Sequence, residues 1–530
     1  MLDLSELRAA VRSEGGVSRR LFLAYGAALS TLPLVGARAE ARTRRVVFGA
    51  DPFSLGVASG EPTDTGVLLW TRLAPKPLDP DGGLPPEAVE VAWEVAADDG
   101  MREIVRRGTT VATPQLAHSV HVEVDGLKPD RWYWFRFRAG DATSPVGRTR
   151  TAPAPDATPE RLRFAFASCS HWEQGYFTAY EHMANDELDL AFHLGDYIYE
   201  YEGRDNLVRK HAGPKIRTLA DYRIRHAQYK TDPHLQAAHS RCPWVVTWDD
   251  HEFENNYANG ISEKAGLDPA DFLEQRANAY QAYYESMPLR PRSLPHGPHM
   301  KLYRTLPFGR LATFQVLDTR QYRTDQPNDD KASDLNDAAL SPKNTILGAE
   351  QADWLKSALL RSTGTWNVLA QQVMMGMVGR SRQQGEPARY SMDQWPGYAA
   401  ERMKLVGFLA ERRVPNPVVL TGDIHSNWVN DLRVDDRKPE APVVATEFVG
   451  TSITSGGNGS AKVEGLDAMM AANPGVRFHN RQRGYVRCTL TPQSWTSDYR
   501  IVEDVKSPGG AAQTLKSFVV EAGKPGAQPA

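Results

Sequence analysis

Leu188-Asp189-Leu190-Ala191-Phe192-His193-Leu194-Gly195-Asp196-Tyr197-Ile198-Tyr199 is an apolar run that stops at a glycine and a carboxylate. The run is short and does not alternate strictly, as expected of a strand covered on both faces, and Gly195 permits the tight turn after it. Asp196 offers a carboxylate able to bridge two cations, and Tyr199 returns one turn later. The same pattern recurs along the chain. Residues 162–167 lead to Ser168-Cys169-Ser170-His171, 244–248 to Asp249-Asp250-His251-Glu252, 312–317 to Asp318, 367–370 to Gln371 and 418–421 to Gly422-Asp423-Ile424-His425. A lone carboxylate at a strand end is ordinarily a helix cap or a turn residue. Six polar strand ends in one register argue against coincidence, and an open α/β sheet gathers its ligands at the carboxyl ends of its strands.

Residues 178–185, 269–284, 349–360 and 399–412 carry helical periodicity, so strands and helices alternate and the fold class is α/β. From about Val46 to Arg150, short runs at 67–70, 89–95, 120–124 and 132–138 predict a small all-β, fibronectin-like sandwich. Residues 151–160, opened by Thr151-Ala152-Pro153-Ala154-Pro155, read as a linker, 161–506 as the ligand-bearing domain and the Gly/Ala/Pro-rich 507–530 as a flexible tail. Residues 203–229, 324–344 and 379–396 are long enough to wall a site. Ser18-Arg19-Arg20-Leu21-Phe22-Leu23, the apolar stretch to Val35 and Ala37-Arg38-Ala39 predict a twin-arginine signal over 1–39. The twin-arginine machinery is then a partner, and the protein is expected to be a periplasmic or secreted monomer.

With 530 residues, 41% hydrophobic, 24% charged and a formal net charge of −3, the chain can bury a large core. Its near-neutral balance gives no reason to expect nucleic acid or an anionic membrane as partner. Cys169, Cys242 and Cys488 are too few for a disulfide framework. Cys242 and Cys488 read as buried hydrophobes, whereas Cys169 sits in a polar turn. No G-x-S-x-G elbow supports serine chemistry.

One Asp of the Asp249-Asp250 pair can hold a second cation, His251 can offer a proton or hydrogen bond to a leaving oxygen, and Asn256 has a carbonyl oxygen suited to a hard cation. Asp423 and His425, two apart, face one way if strand geometry continues. A thiol, a phenol and several carboxylates form an unusually negative donor set, compatible with a trivalent ion and calcium without compelling either.

With Phe53-Ser54-Leu55-Gly56-Val57-Ala58-Ser59-Gly60, Leu69-Trp70-Thr71-Arg72, Glu254-Asn255-Asn256, Leu317-Asp318-Thr319-Arg320-Gln321-Tyr322-Arg323 and Leu347-Gly348-Ala349-Glu350-Gln351, these motifs make the chain resemble the PhoD-like alkaline phosphatases and phosphodiesterases, within the metallophosphatases. The resemblance spans nearly everything after the signal. It implies a metallophosphatase-type β-sandwich flanked by helices. It also implies Fe3+ held partly by Cys169 and Tyr199, with Ca2+ alongside and Asp196 bridging. Asp249, Asp250, Asn256, Asp423 and His425 complete the implied metal set, Asp250 being favoured over Asp249 because it precedes His251 where related enzymes carry a metal-binding Asn. The implied activity is phosphoric ester hydrolysis, in which a metal-bound hydroxide or oxide attacks mono- and diesters in line. His251, with Arg290 or Arg304, would stabilise charged oxygens or assist the leaving group. Substrates would be small phosphate esters, including nucleotides, phospholipid head groups or teichoic-acid-like polymers. The alternatives are a phosphodiesterase or phospholipase-D-like enzyme on the same metals and, more remotely, an exported calcium-stabilised binding protein, against which the thiol and phenol weigh.

Overall fold

The apolar runs become strands, but they divide between two sheets. Leu162–Ala167, Leu190–His193 and Trp244–Val246 pair in parallel in one sheet. Ala312–Val316, Trp366–Ala370, Pro417–Thr421 and Ala445–Val449 pair in parallel in another. The computed structural model describes residues 47–380 and 387–530, so the signal predicted over 1–39 lies outside the described residues. Among those residues the first sheet has ten strands and the second seven.

The two sheets meet through one apolar cluster, with Phe164, Phe192, Val486 and Trp495 from the first and Phe314, Val368, Val418 and Phe448 from the second. The Phe164 ring lies 5.2 Å from Phe192, 5.4 Å from Phe314 and 5.6 Å from Trp495. The outer face of the first sheet is covered by Thr178–Asn185, Leu219–Lys230, Pro233–His239 and Pro269–Ser286, through Tyr180, Tyr222, Leu235 and Tyr280. Gly348–Arg361 and Ala399–Glu411 cover the second through Leu355, Leu359, Leu405 and Leu409. Burial on both faces is why these strands lack alternation. All but the last residue of the helix Leu219–Lys230 falls inside the stretch 203–229 expected to be a wall. Its start is fixed by a capping box between Thr218 and Asp221, although its sequence is largely polar.

The N-terminal strands are shared out. Val57–Gly60, Val67–Arg72 and Ser119–Val124 extend the ten-stranded sheet, which they join where Gly60 pairs in parallel with Trp244. Ile104–Ala112, Val89–Ala96, Trp132–Ala139, Ala142–Thr143 and Gly147–Arg150 form a separate sheet. Val67, Leu69, Val91, Phe135 and Phe137 lie in the cluster between the two. Residue 150 therefore ends a stretch of chain without ending a sheet. No helix among the described residues is long and apolar enough to cross a membrane.

The flexible tail expected over 507–530 requires correction. Ala512–Glu521 pairs antiparallel with Ser494–Val502, and Lys524–Pro529 pairs with Ala512–Glu521, completing one edge of the ten-stranded sheet. The segment's small and polar residues conceal a period of two at Phe518 and Val520, which enter the core between the sheets together with Ala527. A chain ending at Lys506 should therefore unfold at a distinctly lower denaturant midpoint, because burial of one large apolar side chain contributes about 1.5–3 kcal/mol. Equal midpoints for the shortened and full chains would show the segment to be an unattached tail.

Candidate metal centre

The loops that follow the parallel strands of both sheets converge. The Cys169 amide donates to the Gly195 carbonyl (3.1 Å) and the Ser170 amide to that of Asp196 (2.8 Å). A Cβ on Gly195 would stand 2.4 Å from Asp249 Cβ, and one on Gly422 would stand 2.8 Å from Ser168 Cβ. Glycine thus lets the second loop meet the third and lets the Asp423 loop, from the other sheet, meet the first. Cys169, Asp196, Asn256, Asp423 and His425 all have left-handed φ between +50° and +61°. Each such non-glycine residue costs on the order of 1–3 kcal/mol and persists only where its surroundings fix it, which is typical of functional sites.

Ligand atoms of Cys169, Asp196 and His425 lie within 4.8 Å of one another, as do those of Asp196, Asp250 and His251 and those of Asp249, Asp250 and Asp423. Asp196 thus belongs to two groups. The Tyr199 hydroxyl donates to Asp196 Oδ2 at 2.9 Å and lies 3.2 Å from His425 Nε2 and 2.6 Å from Ser455 Oγ. Asp250 accepts the backbone amides of His251 (3.0 Å) and Asn256 (2.7 Å). Cys169, Asp196 and Tyr199 are buried, while Asp423 and His425 are half-buried and mark the side nearer solvent.

Electrostatics tests whether these residues fit a metal. Burial first, and then the charge of Asp196, push the Cys169 thiol and the Tyr199 phenol well above their ordinary ranges. Asp196 is itself raised by burial, as is Asp249 despite Arg320 beside it, and Asp423 is pushed up to about 6. His251 behaves in the opposite sense: against the penalty of burial, Asp250, Glu200 and Asp196 hold it well above its usual range. Asp249 Oδ2 is buried with no hydrogen-bond partner among the described residues. Such a set can ionise together only if positive charge is bound among it, and its thiol, phenol, imidazole and carboxylates are donors to metal cations. The residues present fit a metal centre.

Supporting groups surround this set. Glu252 accepts the backbone amides of Asp196 (3.0 Å), Asp249 (2.8 Å) and Tyr197, tying two ligand loops to one buried carboxylate. Glu200 accepts from His251 Nδ1 at 2.7 Å. Arg320, wholly buried, pairs with Asp249, lies 2.8 Å from Asp393, and reaches Asp423 at 3.5 Å and Asp250 at 3.7 Å. Arg483 donates to the His425 carbonyl at 2.5 Å.

The Asn256 backbone amide bonds Asp250 and its side-chain nitrogen donates to Asp330 at 2.5 Å, so neither bond occupies the side-chain oxygen. The catalytic roles expected of Arg290 and Arg304 need correction. Arg290 donates to the Glu61 carbonyl and to Glu123, both at 2.8 Å, while Arg304 pairs with Glu61 at 2.6 Å and donates to the Val246 carbonyl. Their guanidinium groups are committed to the junction with the N-terminal strands. Sequence reasoning missed Glu200, Glu252, Arg320, Asp393, Ser455 and Arg483 as parts of the site. Glu252 and Arg320 stood inside motifs already singled out, whereas Asp393 and Ser455 lie on irregular segments without a pattern.

The model of the PhoD-like phosphatase matches residues 164–499, and that of the PhoD-like phosphatase N-terminal domain matches residues 38–153. Alkaline phosphatase D of Bacillus subtilis (strain 168) is 53% identical over 481 residues, covering 89% of this chain and 82% of that protein. A solved structure of PhoD superposes with a TM-score of 0.89 at 52% identity, over 91% of this chain and 93% of that one.

Replacement of Glu252 tests the bracing of these loops. Glu252→Ala strands three buried amides, each costing about 1–3 kcal/mol, so metal-free protein should be destabilised by about 3 kcal/mol or more. Glu252→Gln, which keeps one acceptor oxygen, should lose less. Denaturation midpoints equal to the unaltered protein's for both variants would rule the brace out.

Proposed function

The chain belongs to the PhoD-like phosphatase family and is a phosphatase, and from that premise we propose a metal-dependent hydrolase of phosphate mono- and diesters, exported by the twin-arginine route. The observation that carries the metal reading is the Tyr199 oxygen, within hydrogen-bond reach of both Asp196 and His425, two members of the group that Cys169 completes. Cys169, Tyr199, Asp196 and His425 would hold Fe3+. Asp196 and Asp250, with Asp249, Asp423 and Asn256 around them, would hold Ca2+, whose preference is for oxygen. When bound, these ions supply Lewis acidity, neutralising phosphate oxygens and making water a stronger nucleophile near neutral pH. Export rests on the Ser18-Arg19-Arg20 segment and its apolar continuation.

The chain's own groups do the rest. Asp196, shared between two ligand groups, fixes their spacing. Glu200 receives the Nδ1 proton of His251 and so orients the ring, leaving Nε2 to face a substrate oxygen. The ring packs on Tyr199 with centroids 4.2 Å apart, which keeps it next to the ligand set. His251 then protonates, or donates a hydrogen bond to, the oxygen of the leaving group. Arg320 is a positioning residue. Its guanidinium spans Asp249 and Asp393 and balances charge that would otherwise drive these carboxylates apart.

Assays on 4-nitrophenyl phosphate and bis(4-nitrophenyl) phosphate, before and after complete metal removal, test the function. Activity surviving full chelation would overturn it. Early loss of activity on mild chelation should be reversed by calcium, and restoration by zinc or magnesium alone would refute the calcium assignment. The native protein should absorb visible light through phenolate-to-iron charge transfer. Tyr199→Phe should abolish that band with circular dichroism unchanged, and a colourless protein carrying stoichiometric zinc would contradict the assignment. His251→Ala should keep its metals and lower turnover by on the order of 10²–10⁴, less for substrates whose leaving group is nitrophenol. Loss of metals with activity would make His251 a ligand instead.

A further inference from the structure

A cavity of about 350 Å³ adjoins the metal centre, and one acidic residue and two arginines are among the residues that line it. At the near end Gln394 donates to Asp423 at 3.2 Å, Asp330 accepts from the Asn256 side chain at 2.5 Å, and Ile424 stands between Asp423 and His425 in the chain. Arg380 and Arg389 line the same cavity. Their backbones pair with each other, the Arg380 amide on the Arg389 carbonyl at 2.9 Å and the reverse at 2.8 Å, which pins both side chains to one wall. Both residues are exposed.

The buried arginines around the metal centre, Arg320 and Arg323, are each paired with Asp393. Arg380 and Arg389 differ from them. Arg389 donates through Nε to the Ala332 carbonyl at 2.9 Å, and the Arg380 guanidinium stands 5.5 Å from the centre of the Trp428 ring. Among the described residues neither forms an ion pair with a carboxylate, and partial burial first, then the charge of Arg481, lowers the Arg380 guanidinium below its ordinary range. Guanidinium groups without acidic partners among the described residues form a natural receptor for an oxyanion, which they bind through paired N–H donors.

We propose that Arg380 and Arg389 form a subsite for a second phosphate of the substrate, distinct from the phosphate that is hydrolysed. The preferred substrates are therefore esters carrying at least two phosphate groups. The inference rests on phosphate hydrolysis at the neighbouring metal centre.

The experiment uses the metal-loaded full chain and a matched pair of substrates, fructose 1,6-bisphosphate and fructose 6-phosphate, with released phosphate as the readout. In the unaltered protein kcat/KM should favour the bisphosphate, and the preference should shrink as salt is raised, since exposed charges are screened. Arg380→Ser combined with Arg389→Ser should lower the bisphosphate-to-monophosphate ratio of kcat/KM at least tenfold, chiefly through KM for the bisphosphate. Arg380→Lys with Arg389→Lys should retain part of the preference. An unchanged ratio in the serine variant overturns the subsite, as does an equal loss on both substrates, which would mean that the arginines support the fold or the scissile phosphate. Failure of the unaltered protein on both sugars and on 4-nitrophenyl phosphate would instead overturn the reading of the metal centre, and the subsite with it.

Discussion

Cys169, Asp196, Tyr199, Asp249, Asp250 and Asp423 are crowded together, mostly out of water, so that each group that ionises raises the cost of ionising the next. One fixed cation, Arg320, reaches three of the carboxylates. Much of the surrounding structure exists to hold this repulsive set in place. Glu252 anchors two of the loops by their amides, Gly195 and Gly422 allow the loops to touch, and several of the clustered residues adopt costly left-handed conformations. A folded chain of this kind holds these groups together in opposition to their own electrostatics, an opposition that a cation would turn into affinity.

The converging loops were legible in the sequence because each combines a short apolar run with a polar stop, and the run cannot continue as a buried strand past Asp196, Asp249 or Asp423. Which strands share a sheet was not legible. Lack of alternation signals cover on both faces and says nothing about whether that cover is a helix or a second sheet, so residues 162–167 and 312–317 look alike although they face each other across the core. Arg290 and Arg304 were misread because their partner, Glu61, lies far upstream on a segment with no visible tie to them. Glu252 escaped notice because its role is exercised on backbone amides, which no side-chain spacing reports. The last strands were obscured by composition, since Gly, Ala, Pro and Lys dilute the few apolar residues that point inward.

Glu61 gives the N-terminal region a firm attachment. It follows the strand Val57–Gly60, itself paired with the main sheet, and its buried carboxylate receives Arg304 at 2.6 Å and Arg292 at 2.9 Å. Breaking a buried ion pair on one side leaves an uncompensated charge and is strongly destabilising. The N-terminal strands are accordingly continuous with the main sheet in hydrogen bonding and in charge, and they stiffen the edge nearest Trp244.

The last strand, Lys524–Pro529, closes the edge of the ten-stranded sheet and also reaches the other sheet, where Ala527 donates to Asp431 at 3.1 Å and Gly526 to Thr446 at 3.2 Å. A nascent chain emerges from the ribosome with its C-terminus last, and its earlier segments begin to fold before that end is free. The clasp between the two sheets is thus made by residues that emerge after every other strand of both sheets, so the inner faces of the two sheets can come together before this strand latches them.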